Sequence, residues 1–137
     1  MKMSRVLADW LQTLIDDDGS IGSTVVSLAE GDEKNPEKIA AVWEVEDTER
    51  LSATLRRFDA LLSIRRPVTG AQGEPQQSAV HAFLRAQITT AGFNALVADV
   101  TAASLGTLQD WYYGDSETEN DSSDYRIEQR LSLWVVE

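Results

Sequence analysis

Residues 125–136 read Tyr-Arg-Ile-Glu-Gln-Arg-Leu-Ser-Leu-Trp-Val-Val, and the alternation in this stretch decides the fold class. Tyr125, Ile127, Leu131, Leu133 and Val135 fall on one side of an extended chain, while Arg126, Glu128, Arg130 and Ser132 fall on the other. Successive side chains of a strand point to opposite faces, so this is a strand with one face in a core and one face charged. Residues 39–46 repeat the pattern, with Ile39, Ala41, Trp43 and Val45 on one side and Val42, Glu44 and Glu46 on the other. Half-buried strands of this kind are typical of antiparallel sheets.

The remaining elements are placed by working outward from the last strand. Residues 108–113 are aromatic and β-prone and supply its hairpin partner. Between the two, residues 115–124 are almost wholly polar, and Asp115, Glu117, Glu119, Asp121 and Asp124 predict a mobile acidic loop. Residues 58–68 predict a strand with Leu62 and Ile64 facing in, stopped by Arg65, Arg66 and Pro67. Residues 47–58 fit both a helical stripe (Leu51, Leu55, Phe58) and strand alternation (Leu51, Ala53, Leu55). The strand reading is preferred because the next segment continues as one. The β-branched run at 23–28 predicts a short strand, and Gly31, Asn35 and Pro36 mark 30–38 as a loop.

Two stretches have helical spacing. Val6, Leu7, Trp10, Leu11, Leu14 and Ile15 form one stripe over residues 5–16, with Ser4 as the expected N-cap. Asp16, Asp17 and Asp18 oppose the helix dipole, and Gly19 supplies the left-handed stop. Residues 76–91 carry Val80, Phe83, Leu84 and Ile88 at helical spacing and end near Gly92. Residues 93–103 are a third helix or a continuation of the second. The expectation is a single α+β domain over residues 1–137, a mostly antiparallel sheet with two or three helices packed on one face.

Composition narrows the chemistry. A 137-residue chain buries roughly two-thirds of its unfolded surface without a staple. The absence of cysteine excludes disulfides, thiolate metal sites and a thiol nucleophile. His81 is the one histidine, which excludes a two-histidine metal site within one chain. The run from Asp115 has Asn120 and Arg126 where a calcium loop needs glycine and glutamate. Gly70 and Gly73 match a G-x-x-G spacing, but no phosphate-clamping Lys or Arg flanks them inside the turn. No phosphate loop, dinucleotide fingerprint or nucleophile elbow is present. A net charge of −11 opposes binding to nucleic acid and to anionic membranes. No apolar run approaches the ~18 residues of a membrane span and no signal-peptide pattern is seen, so a cytoplasmic protein is expected. No catalytic residue, cofactor or metal ligand is identified, and a non-enzymatic role is expected.

The charge is segregated. Arg50, Arg56, Arg57, Arg65 and Arg66 share one stretch, whereas the acids concentrate at 16–18, 30–49 and 115–124. Arg56, Arg57, Arg65, Arg66, Arg126 and Arg130 are therefore candidate contact residues, either for a partner or as a solvated mixed surface. Among the four tryptophans, Trp10 and Trp43 have core phase. Trp111 and Trp134 are candidate interface anchors, the latter unless a second layer covers its face.

The size, the amphipathic helix with Trp10 and Leu11, and the strand Ala41-Val-Trp-Glu-Val45 form a familiar order of elements. With the Arg-rich strand from Arg56 to Arg66, the helix after Pro75 and the hairpin ending Arg130-Leu-Ser-Leu-Trp-Val-Val136, it resembles the tail terminator and tail completion proteins of long-tailed bacteriophages. That resemblance implies a ring, commonly a hexamer, that caps the tail tube and joins it to the head. The implied partners are further copies of the chain, tail-tube proteins and head-connector proteins. The implied location is the virion, and the host cytoplasm during assembly. It further implies that Arg56, Arg57, Arg65 and Arg66 meet acidic loops of a neighbour, and that the 115–124 loop is ordered by a partner. The alternatives are another head–tail connector or minor capsid component, and a small acidic binding or immunity-type module.

Overall fold

Strands and helices of the expected kinds assemble in a computed structural model of the chain, which describes residues 1–67, 73–120 and 125–137. In chain order they are α1 (Met3–Asp18), β1 (Val25–Ala29), β2 (Ile39–Arg50), β3 (Leu55–Arg65), α2 (Glu74–Ala86), α3 (Thr90–Ala102), β4 (Thr107–Asn120) and β5 (Tyr125–Val136). The five strands form one sheet in the order β1-β2-β3-β5-β4. All pairs are antiparallel except β1 with β2. The fold is α+β, with a mostly antiparallel sheet.

The single parallel pair was not expected, and its short return has a simple cause. Parallel neighbours usually need a crossover of a dozen or more residues. Here β1 is only five residues long, so the chain retraces about 17 Å. Residues 30–38 cover that distance without a helix. Asp32 ties this connection down: its carboxylate accepts from Ala29 N at 3.0 Å and from the guanidinium of Arg5 on α1. The Ala29 amide and, next, Arg5 hold the Asp32 carboxyl below the usual carboxylate range.

The ambiguous 47–58 stretch is extended, as the preferred reading had it, but broken by a turn. β2 runs on to Arg50 and β3 starts at Leu55. Ser52 Oγ accepts from the Leu55 amide at 3.1 Å and so closes the hairpin. A bulge between Val45 and Asp47 lets β2 follow β3 for its full length.

The alternation of β5 is realised as read. Ile127, Leu131, Leu133 and Val135 are buried, and they share a face with Phe58, Ala60, Leu62 and Ile64 of β3. Helix α1 lays Val6, Leu7, Trp10, Leu11 and Ile15 on this face, and α2 and α3 add Val80, Leu84, Leu96 and Val100. Three helices thus cover one side of the sheet.

Helix ends correct three expectations. Helix α1 begins at Met3 behind Lys2, so Ser4 lies inside it and is not the cap. Gly19 does end it, at φ 74°, and its amide donates to Ile15 O at 3.1 Å. The second helix stops at Ala86, and α3 starts before Gly92 rather than after it. Thr89 caps α3, its hydroxyl accepting from Gly92 N at 3.2 Å.

The acidic segment is also corrected. Asp115, Glu117 and Glu119, expected in a loop, lie in β4, which pairs with β5 as far as Asn120 opposite Tyr125. Strand pairing outweighs the polar composition because Ser116 and Thr118 alternate with the acids and meet Gln129 and Ile127. Asp121 and Asp124, and the Gly70 end of the G-x-x-G turn, lie outside the described residues.

A small acidic cleft lies between α1 and α3, lined by Met1, Val6, Asp9, Thr13, Asp99, Ala102 and Ala103. Burial, and then the charge of Asp9, push the Asp99 carboxyl above its ordinary value. The ionised form is thus the disfavoured one in the folded chain. An acid with a raised folded-state pKa weakens folding at neutral pH, and the penalty disappears as pH falls through the raised value. Asp99→Asn is expected to stabilise the protein at pH 7 by less than about 1 kcal/mol, the range for screened charge pairs. The gain should vanish near pH 3, as read from urea midpoints at the two pH values.

Candidate protein-contact surface

The other side of the sheet carries no described helix. Strand parity assigns to it Arg57, Asp59, Leu61, Ser63 and Arg65 of β3, and Arg126, Glu128, Arg130, Ser132 and Trp134 of β5. Val42 and Glu44 of β2 join them opposite Ser63 and Leu61. Tyr112 of β4 lies opposite Ser132. The face therefore gathers Arg57, Arg65, Arg126, Arg130 and Trp134 from the candidate list. The gathering follows from the period of two, because β3 and β5 are direct neighbours in register.

Three candidates lie elsewhere. Arg56, one residue from Arg57, falls on the opposite parity and pairs with Glu137 at 2.7 Å. Arg66 lies past the end of β3 and turns toward α2. Its Nε donates to Gln77 Oε1 at 2.6 Å, and its guanidinium stacks 3.9 Å over the Tyr125 ring. Trp111 belongs to the helix-covered side, edge-on to Trp10 at 6.0 Å and to Phe93 at 5.3 Å. Its position beside acidic residues suggested an anchor, but the bulge between Leu108 and Asp110 sets its parity inward.

Most of the arginines on the open face are matched by carboxylates of the same chain. Arg57 reaches Glu49 at 2.6 Å and Asp59 at 3.4 Å. Arg130 pairs with Glu46 of β2, and Arg126 with Glu119 at 2.7 Å and Glu128 at 2.9 Å. Asp59 also accepts from Ser132 Oγ at 2.9 Å. These pairs hold the long side chains in defined positions across four strands. The acids supplied by a neighbour under the tail-terminator resemblance are thus already present here for Arg57.

Tyr112 is the residue that sequence reading missed. It is 62 % exposed, and it stands on the same face as Trp134, which is partly exposed. The signal was its place in Trp111-Tyr112-Tyr113, where alternation sends the middle ring away from its neighbours. Tyr113 goes inward, its hydroxyl 3.3 Å from His81 Nε2.

His81 itself is half-buried against the sheet. Its Nε2 lies 2.9 Å from Gln129 Oε1. The Gln129 amide donates to Gly114 O at 2.8 Å and to Arg130 O at 2.9 Å. Gln129 thereby satisfies a carbonyl at the second β4 bulge, between Tyr113 and Ser116. These side chains bond to one another and to backbone, which is what a buried polar contact between helix and sheet requires. Among the described residues no three His, Asp or Glu side chains are grouped closely enough to hold a metal ion. No described helix is long and apolar enough to cross a membrane.

No model of a known protein family matches this sequence, and no curated protein matches it.

Proposed function

We propose that the protein is a virion-assembly subunit of the tail-terminator kind, acting through protein contacts made by the helix-free face of its sheet. The observation that carries this reading is the company on that face: Trp134, Tyr112, Arg57 and Arg130 on one side of adjoining strands. Tryptophan, tyrosine and arginine dominate the binding energy of protein interfaces, because large rigid rings and forked guanidiniums bury area at low entropic cost. Ion pairs already formed between strands hold the arginines before any partner arrives, which lowers the ordering cost of association. In this reading several copies form a ring, commonly six, that seats on a tail tube and meets the head connector. No chemistry or cofactor is involved, and the protein ends in the virion.

Size-exclusion chromatography with light scattering, at several concentrations and with purified tail tubes added, tests this reading. A concentration-dependent ring that binds tubes is the expected result; a strict monomer that ignores tubes overturns it. The double variant Tyr112→Ala, Trp134→Ala is expected to weaken the association by at least about 30-fold, the size of one hot-spot loss. Far-UV circular dichroism should stay unchanged, because both rings lie outside the helix-covered core.

A further inference from the structure

The sheet ends in two edges, and they are finished differently. β4 carries two bulges and the charges of Asp110, Asp115, Glu117 and Glu119, which are common defences of an exposed edge against pairing with another chain. β1, at the opposite end of the sheet, is short but has neither. Val25-Val-Ser-Leu-Ala29 holds no charge, and its register with β2 is unbroken. Ile39 N donates to Thr24 O and Glu30 N donates to Trp43 O, so the even-numbered residues of this stretch turn their main chain toward β2. The amides and carbonyls of Val25, Ser27 and Ala29 point the other way, out of the sheet.

Side chains occupy that outer edge. Gln12 Oε1 accepts from Ser27 N at 2.9 Å, and Asp32 Oδ2 accepts from Ala29 N at 3.0 Å. The Ala29 carbonyl is taken as well, by the Asp32 amide at 3.1 Å. Each plug is itself held in place: Gln12 Nε2 donates to Asp16 Oδ1 at 2.9 Å, and the Arg5 guanidinium holds Asp32. Arg5, Ala8, Gln12 and Asp16 recur at spacings of three and four, one line along α1, and Ala8 O accepts from Ser27 Oγ at 2.8 Å. We infer that Gln12 and Asp32 are an edge seal: they take the outward amides of β1 and so keep a second copy of the chain from adding its own β1 to the sheet. A second copy is the occupant shut out because the strand is self-complementary. In an antiparallel two-fold pair centred on Ser27, the outward groups of Val25, Ser27 and Ala29 meet those of Ala29, Ser27 and Val25, and no charge on the strand opposes the match. The inference is independent of the tail-terminator reading, since a ring and a monomer alike would set only the baseline of association.

The test compares the full-length protein with the double variant Gln12→Ala, Asp32→Ala by sedimentation velocity over a concentration series. The double variant is expected to self-associate at least about tenfold more tightly than the wild type, as freed main-chain amides find partners in a second copy. Adding Val26→Lys should restore the wild-type behaviour, because a lysine on an edge strand opposes pairing. Unchanged association overturns the inference, and so does added association that Val26→Lys leaves in place. Should the double variant unfold, Gln12→Ala alone, which leaves Asp32 and Arg5 intact, carries the same comparison at smaller amplitude. Two more variants separate sealing from a mere bracing of α1 against β1. Ser27→Ala gives up the hydroxyl bond to Ala8 O and frees no main-chain amide; it should lower the melting temperature and leave association at the wild-type level. Asp32→Asn keeps an acceptor for Ala29 N and loses the charge pair with Arg5; it too should associate as the wild type does. Association of either variant to the extent of the double variant would make a loosened fold the cause and overturn the seal.

Discussion

Trp10→Ala is expected to destabilise the protein by about 3–5 kcal/mol, the cost of emptying a buried tryptophan site. Domains of this kind are stable by about 5–15 kcal/mol, so the variant would lose a large share of its margin. Trp10 is 1 % exposed on α1, and its ring meets Trp111 of β4 edge-on. Its Nε1 donates to Gly92 O of α3 at 3.2 Å. One side chain therefore joins α1, α3 and the sheet, and its loss leaves a cavity and removes the hydrogen bond that ties α1 to α3. Trp10→Phe separates the two effects. It keeps most of the ring and loses the hydrogen bond, for an expected cost of about 0.5–1.5 kcal/mol. Urea midpoints at constant m-value measure both variants.

Gly92→Ala attacks the same junction from the other side, with an expected cost of about 3 kcal/mol or more, at the upper end of overpacking. A Cβ at Gly92 would stand 1.8 Å from the carbonyl oxygen of Gln87. The obstacle is backbone in the tight link between α2 and α3, so no side chain can turn aside. Relief requires the first turn of α3 to shift. That movement would break the Thr89 cap at Gly92 N and draw the Gly92 carbonyl away from Trp10. The Trp10→Phe, Gly92→Ala double variant should therefore cost less than the sum of its parts, since both remove the same bond. Circular dichroism during urea unfolding measures the shortfall.

How much of this was readable beforehand differs from element to element. The β5 and β2 alternations were realised directly, because each strand has one dry face and the period leaves no choice of side. The α1 stripe was equally legible. Residues 115–120 misled because composition was weighed above pairing: a polar composition does not show that β5, starting at Tyr125 opposite Asn120, carries the ladder to the end of β4. The parallel placement of β1 was hidden for a similar reason: five residues carry no sign of the direction of their neighbour. For the candidate surface, parity alone places Arg57, Arg65, Arg126, Arg130 and Trp134 together once β3 and β5 are known to be adjacent. That adjacency skips two helices and a strand, and no local pattern encodes it. Trp111 turns to the helix-covered side because a bulge shifts parity by one residue, and bulges leave no mark in a hydrophobic pattern.

The position of β5 between β3 and β4 has a kinetic consequence. A chain emerging from the ribosome presents the β2–β3 hairpin, α2, α3 and β4 before the strand that unites them exists. Until β5 arrives, the inner edge of β3, with Phe58, Ala60, Leu62 and Ile64 beside it, has nothing to pair with. Closing that gap joins Leu55 to Val136 and Arg65 to Arg126, contacts distant in sequence whose loop entropy must be met before they stabilise anything. Completion of the sheet thus waits until synthesis has passed β5, and during that wait the edge of β3 is open to pairing with other chains.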